Sequence, residues 1–276
     1  MGKSSGTIVG VDAGASLAKL AILESGRLHT ELLPADDPGR IQRRLLDLRP
    51  RRVGLTGGGA ARLERHFPDA SVRVDEFEAW GSGAQRLLGN PQARKKEPYL
   101  LVSLGTGTSV MLVEDGVARR IGGTGLGGGT VMGLGTLLLR CDDFGVLTQL
   151  AARGDRRQVD LLVSDIYGPG EIPLGGDLTA ANFGKPALDP RAGRRRREDL
   201  AHAIMGLVGE NVALVCAGLA AASPAQRVVF GGSTLRGNPA LREVLQQVTA
   251  LLGRSALFLE NGEFAGALGA LGRAQG

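Results

Sequence analysis

Residues 98–120, PYLLVSLGTGTSVMLVEDGVARR, and residues 7–28, TIVGVDAGASLAKLAILESGRL, follow one plan about 90 residues apart. Each opens on an apolar strand, Tyr99 to Val102 or Ile8 to Val11. Each then crosses a polar glycine turn, Gly105 to Ser109 or Asp12 to Ser16. It returns as a second apolar strand, Val110 to Val113 or Leu20 to Leu23. Asp115-Gly116 and Ser25-Gly26 end the copies with dipeptides that join hairpin strands. One such hairpin opens each half of the chain, which predicts a duplicated, two-lobed α/β protein.

The rest of the chain fits that plan. Hydrophobic periodicity predicts helices over Arg40 to Leu48, Phe77 to Leu88, Thr130 to Leu139, Asp143 to Arg153, Glu198 to Ala222, Asn238 to Leu252 and Glu263 to Leu271. Strands are expected at Arg52 to Leu55, Ser71 to Val74, Arg227 to Phe230 and Ala256 to Leu259. Strands alternating with helices imply sheets with helical cover. The lobes are expected to span residues 1–96 and 97–276. Pro169 to Arg197, rich in Pro, Gly and Arg, reads as an excursion or an oligomer contact.

Glycine inside a regular element costs about 0.5–1 kcal/mol relative to alanine. The glycines from Gly105 to Gly129 therefore need a reason, either a sharp bend or a ligand held against the backbone. At the two hairpin tips, backbone N–H groups and hydroxyls can approach phosphate oxygens where a Cβ would clash. A third run, Gly125 to Gly129, leads into a helix whose N-terminus offers N–H groups and a positive dipole to an anion. A fourth, Gly231-Gly232-Ser233, follows a strand and precedes a helix, a place for a nucleoside. Gly123-x-Gly125-x-x-Gly128 formally matches a dinucleotide fingerprint. It lacks the preceding long strand and the acidic residue about 20 positions on, so a nucleoside triphosphate ranks above a dinucleotide. Gly2-Lys3-Ser4-Ser5 lacks the upstream glycine of a phosphate-binding loop and precedes a strand rather than a helix.

Asp12, where the first strand meets its turn, can hold magnesium against bound phosphates or merely cap the turn. Glu76, in VDEFEAW, can be a general base or an acidic residue of a helix's first turn, and Asp75 and Glu78 compete with it. Arg120 can bind a carboxylate or cover a strand edge.

Composition limits the function further. Only 4% of the 276 residues are aromatic, which argues against a stacking surface for single-stranded nucleic acid. The formal charge of +5 comes largely from arginines beside turn formers, Arg49-Pro50-Arg51-Arg52 and Arg194 to Arg197. These read as solvated loops, with an anionic small-molecule substrate the next candidate and no nucleic-acid partner expected. Cys141 and Cys216 are far apart, and with His29, His66 and His202 they make a zinc site improbable. Free buried thiols fit a reducing cytosol, so a cytoplasmic location is expected. No apolar run is expected to reach the ~20 residues of a membrane span, and the N-terminus lacks a secretory signal.

VGVDAGASLAKL, VDEFEAW, SLGTGTSVMLV, RRIGGTGLGGGTVMGLG, VDLLVSDIYG, RVVFGGSTLRGN and LFLENGEFAGALGAL together resemble the type II pantothenate kinases, in order and over nearly the whole chain. The resemblance implies the actin-like (ribonuclease H-like) ATPase fold, with a cleft between the lobes. It implies ATP and Mg2+ as cofactors, and phosphorylation of pantothenate to 4′-phosphopantothenate, the first step toward coenzyme A.

The family's roles fall on matching positions. Asp12, Ala13, Gly14, Ala15, Ser16 and Lys19 of the first hairpin, with Gly128, Gly129 and Thr130, would face the ATP phosphates, and Asp12 the metal. Thr106 and Ser109 would be nucleotide-facing hydroxyls, joined by Phe144 and Ser233. Glu76 would be the catalytic base. Arg120 and Thr108 would bind pantothenate. Thr179 and Ala180, in GDLTAANFG, would complete the neighbouring subunit's site in a homodimer. The apolar segment Asp199 to Ala222 also points to a dimer. One departure is visible: the family's first turn often reads D-x-G-G-T, whereas Ala15 here adds a Cβ and Ser16 keeps the hydroxyl. The alternatives are a kinase of the same fold acting on a sugar or pantetheine, and a catalytically silent ATP-binding regulator.

Overall fold

In the computed structural model, residues 6–89, 97–168, 170–171, 175–188 and 195–276 are described. The Gly2–Ser5 segment, Arg194 and parts of the Pro169–Arg197 excursion lie outside them. The first half runs β1 (Ile8–Ala13), β2 (Leu17–Glu24), β3 (Arg27–Pro34), α1 (Pro38–Leu48), β4 (Arg52–Thr56), α2 (Ala60–Glu64), β5 (Ser71–Arg73) and α3 (Glu76–Leu87). Next come β6 (Tyr99–Leu104), β7 (Thr108–Glu114), β8 (Val117–Thr124), α4 (Gly128–Leu139), α5 (Phe144–Ala151), β9 (Leu161–Leu162), β10 (Thr179–Ala181) and α6 (Lys185–Leu188). The chain ends with α7 (Arg197–Ala221), β11 (Arg227–Gly231), α8 (Pro239–Leu251), β12 (Ser255–Phe258) and α9 (Ala265–Gln275).

The duplication is visible in the topology. One five-stranded sheet is ordered β3-β2-β1-β4-β5 and the other β8-β7-β6-β11-β12. In each, three antiparallel strands form a meander whose first strand then pairs parallel with a later one. Ser25, Gly26, Asp115 and Gly116 all have positive φ. Both central positions of each turn are therefore left-handed, the conformation that suits a two-residue hairpin. The dipeptides thus announced β3 and β8, which have little apolar signal of their own.

Two helices pack across the expected division between the halves of the chain. Helix α3, from the first half, packs its buried Trp80 and Ala84 among Tyr99, Leu101 and Val229 of the second sheet. Helix α9, at the far end of the sequence, covers the first sheet. A Cβ at Gly10 or Gly54 would stand 2.0 Å from the carbonyl oxygen of Ala267 or Ala270. The two helices also cross closely: a Cβ at Gly83 would meet Ala265 O at 1.8 Å, and one at Gly269 would meet Ala79 O at 1.9 Å. Missing side chains thus let the exchanged helices join the lobes.

This gives a sign test. In an unencumbered helix, glycine to alanine gains about 0.8–1 kcal/mol. Gly269→Ala is expected instead to lose about 1–3 kcal/mol, because overpacking outweighs propensity. Urea unfolding reads the difference, and a raised midpoint would contradict the close crossing.

Helix α7 corrects two expectations. It is long and apolar enough by length and composition to cross a membrane, so an apolar run of that length does exist. However, 61% of its most apolar window is buried inside the chain, among Val110, Leu147 and Val244. Its apolar surface serves the protein's own core, and it no longer argues for a dimer. Cys216 on this helix is free and buried, and burial pushes its thiol up to about 12. Arg197, expected on a solvated loop, donates to Leu139 O at 2.9 Å and so holds the end of α4.

Candidate active site

The two glycine turns face each other across a cleft of about 1240 Å³. They touch at their tips, where Ser16 Oγ and Thr106 Oγ1 lie 2.9 Å apart. Of the residues expected at the site, Asp12, Gly14, Ala15, Ser16, Lys19, Glu76, Thr106, Thr108, Ser109, Arg120, Gly128, Gly129, Phe144 and Ser233 line this one cleft. Residues scattered over more than 200 positions of sequence therefore converge.

Asp12 and Lys19 form a cross-strand pair beside the turn of the first hairpin. Lys19 Nζ lies 3.5 Å from Asp12 Oδ2, and both side chains are buried. Burial raises the Asp12 pKa, and Lys19 opposes that rise. The carboxylate sits in space left by absent side chains. A Cβ at Gly57, where φ is +82°, would approach Oδ1 to 2.6 Å, and one at Gly266 would approach Oδ2 to 2.9 Å.

Three acidic residues compete at the start of α3, and the structure separates them. Asp75 is the N-cap, accepting from Phe77 N at 2.9 Å and Glu78 N at 3.0 Å. Glu78 pairs with Arg273 of α9 at 3.0 Å. Glu76 alone of the three lines the cleft. Desolvation by the cleft wall raises its pKa, the charge of Asp12 adds to the rise, and Lys19 opposes it. Weaker influences come from Asp75, which raises it, and Arg120, which lowers it. Asp12, Lys19 and Arg120 are therefore each within electrostatic reach of Glu76.

Arg120 owes its place to an irregularity in β8. The register with β7 slips between Val110–Gly122 and Met111–Arg120, leaving Ile121 as an extra residue. Such a bulge re-aims the neighbouring side chain. Gly123 lies beneath the guanidinium, since a Cβ there would stand 3.0 Å from Arg120 Nη2. Among the described residues, no carboxylate lies within ion-pair distance of Arg120.

The glycine run before α4 has a different use from the one expected. Gly128 N donates to Gly105 O at 2.8 Å and Gly129 N to Thr106 O at 2.9 Å, while Gly127 N donates to Thr130 Oγ1 at 3.3 Å. Thr234 Oγ1 also donates to Gly105 O, at 2.9 Å. Two N–H groups expected to await an anion are thus spent stitching the second turn to α4 and a third on the helix's own cap, leaving the helix dipole as that helix's contribution. Thr130 turns its hydroxyl to Gly125 O and does not line the cleft. Ala13 is buried and packs against the Gly59 turn. Thr108 Oγ1 donates to Leu126 O at 2.7 Å.

Thr179 and Ala180 lie on β10, away from this chain's own cleft lining. Thr179 N donates to Glu210 Oε1 at 2.8 Å, and its hydroxyl joins a buried cluster with Glu210, Arg156 and Asp160. That cluster pins β10 to the core helix α7.

Comparison with known proteins identifies the family. A family model described as Fumble matches residues 38–273. Type II pantothenate kinases from Oceanobacillus iheyensis and Staphylococcus haemolyticus are 38% and 37% identical, each over 95% of this chain and 98% of the relative. The Staphylococcus aureus protein of that name is 36% identical over the same shares. The chain belongs to the Fumble family, that of the type II pantothenate kinases. Two solved structures share the fold at low identity. The activator of the 2-hydroxyisocaproyl-CoA dehydratase from Clostridium difficile, with bound ADPNP, has a TM-score of 0.66 and 15% identity, covering 98% of this chain and 96% of that one. A ROK family glucokinase from Streptomyces griseus, with glucose and AMPPNP, has 0.60 and 14%, covering 98% and 99%. The actin-like, two-lobed architecture is thereby shown.

Several cleft residues of this Fumble-family chain were not anticipated. Gly57 and Gly58, just after β4, line the cleft. Trp80 lies one helical turn beyond Glu76, a spacing that shares a face. Asp142, Gln149 and Arg236 also line the cleft, but nothing local in the sequence marks them.

Proposed function

We propose that this type II pantothenate kinase transfers the γ-phosphoryl group of ATP to the primary hydroxyl of pantothenate, giving 4′-phosphopantothenate and ADP. Membership of the family supports the reaction. One observation carries the assignment of roles: a single cleft between two glycine turns is lined by Asp12, Lys19 and Arg120, each within electrostatic reach of Glu76.

In this reading Arg120 grips the pantothenate carboxylate through two parallel hydrogen bonds, for which its guanidinium is suited. Glu76 accepts the hydroxyl proton as the new oxygen–phosphorus bond forms and ADP leaves. Its raised pKa brings the base closer to neutral pH. The turns at Gly14 to Ser16 and Gly105 to Gly107 position the phosphates, and Phe144 and Ser233 lie towards the nucleoside.

No cluster of three metal-ligating side chains occurs among the described residues. A lone carboxylate set in glycine-made space suits a magnesium ion that arrives on ATP, held by Asp12 directly or through water. When bound, magnesium supplies charge neutralisation at the phosphates.

A homodimer and a cytoplasmic location belong to the same reading. Leu137, 79% exposed, and the exposed Leu138 give the charge-free helix α4 an apolar outer face that supports self-association. Light scattering is expected to give twice the chain mass at micromolar concentration, and a fully active monomer would reject it. Because a fold neighbour is a glucokinase, substrate identity is tested with a panel of pantothenate, pantetheine and glucose. Pantothenate is expected to have the highest kcat/KM, and preference for glucose would overturn the assignment.

A further inference from the structure

Lys19 is the cation that pairs with the Asp12 carboxylate, at 3.5 Å, with the two side chains only 10% and 7% exposed. The ammonium also lies directly under the first phosphate turn, because a Cβ at Gly14 would stand 3.1 Å from Nζ. Lys19 is therefore between two anionic neighbours-to-be, the carboxylate below and the phosphates above. On the other side of Asp12, Thr56 is its register partner in β4, and the Thr56 hydroxyl is buried without a hydrogen-bond partner. Asp12 also lines the cleft, so the unused Thr56 hydroxyl stands beside a carboxylate that an entering ion can reach.

A buried carboxylate whose partner is removed is strongly destabilised, so the pair cannot simply open. A divalent ion arriving beside Asp12 would in turn be repelled by the ammonium already there. Both difficulties vanish if the cations exchange. This argument rests on Asp12 being the metal-facing carboxylate, as read above.

We propose that Lys19 is an exchangeable placeholder for the metal ion: it neutralises Asp12 until a metal–nucleotide complex enters, then moves to the phosphate oxygens beneath the Gly14 turn and leaves Asp12 to the metal. Lys19 is thus a positioning residue that couples metal to nucleotide. Bare divalent ions bind the free protein poorly, since they offer the tethered ammonium no new partner. Phosphates do offer one, so metal and nucleotide bind together.

The test is Mn2+ binding to nucleotide-free protein, read from the electron paramagnetic resonance signal of the free ion. Lys19→Met is expected to bind Mn2+ roughly ten-fold or more tightly than the wild-type chain, a typical coupling between sites. Lys19→Arg keeps a cation and should show no gain. Adding Asp12→Asn to Lys19→Met should abolish the gain. If Lys19→Met is poorly folded, Mn2+ should raise its melting temperature more than that of the wild type, because the ion replaces the missing charge. A Lys19→Met chain that is neither tighter for Mn2+ nor stabilised by it overturns the placeholder. Asp12→Asn separates the two ideas. If it binds Mn2+–ATP as tightly as wild type, the metal reading itself falls; if it loses that binding while Lys19→Met gains nothing, the exchange alone falls.

Discussion

Glu76→Gln is expected to lower turnover by about 10²–10⁴-fold, the usual contribution of a positioned general base. The amide keeps the shape of the side chain and removes only its ability to take a proton. ATP affinity and unfolding midpoint should barely change, because Glu76 caps nothing and makes no ion pair among the described residues. Asp75→Asn is the informative neighbour. It sits one residue away, but its carboxylate accepts from Phe77 N and Glu78 N at the start of α3. Asparagine can still cap, so turnover and stability should both stay close to wild type. The pH profile carries the same assignment. Burial raises the Glu76 pKa, so the proton-accepting form is present above that raised value and is lost as pH falls through it. The acid limb of kcat/KM should therefore lie above the usual carboxylate range in the wild type and be absent from the residual activity of Glu76→Gln. A Glu76→Gln enzyme within threefold of wild type, roughly 0.6 kcal/mol, would remove Glu76 from the chemistry.

Arg120→Ala is expected to raise KM for pantothenate about ten- to hundred-fold, the equivalent of ~1.5–3 kcal/mol for hydrogen bonds to a charged group. KM for ATP should be almost unchanged, since the bulge at Ile121 aims Arg120 at the acceptor side of the cleft in this reading. Arg120→Lys retains charge without the planar fork and should recover only part of the loss. An unchanged KM for pantothenate in both variants would move the assignment to Arg119, the adjacent exposed arginine of β8.

Much of this was legible in the sequence because it is local. The paired hairpins announced both sheets, and the left-handed Ser25-Gly26 and Asp115-Gly116 turns implied the third strand of each. Predicted helix ends agree with the observed ones to within about two residues, the usual uncertainty of helix boundaries, except that α9 runs on past Leu271 to Gln275. What escaped is non-local. Gly10, Gly54, Gly83 and Gly269 look unremarkable in their own segments, and only the close passage of α9 explains them. The same limit affected the glycines before α4. Their sequence suggests open N–H groups, but their partners are carbonyls some 23 residues earlier, at Gly105 and Thr106. Helix α7 reads as excess apolar surface until the elements packed around it are known. The competition among Asp75, Glu76 and Glu78 was likewise undecidable locally. In the structure Asp75 caps α3 and Glu78 pairs with Arg273 of α9, which leaves Glu76 in the cleft lining.

The central claim is that the cleft joins a phosphate donor and a vitamin acceptor, and the most direct test is ADP release by the purified chain with ATP and magnesium, with and without pantothenate. Release is expected to depend on pantothenate, to saturate with it, and to yield one phosphorylated pantothenate per ADP by mass spectrometry. ADP release that is indifferent to pantothenate, or no release despite measurable ATP binding, would contradict it.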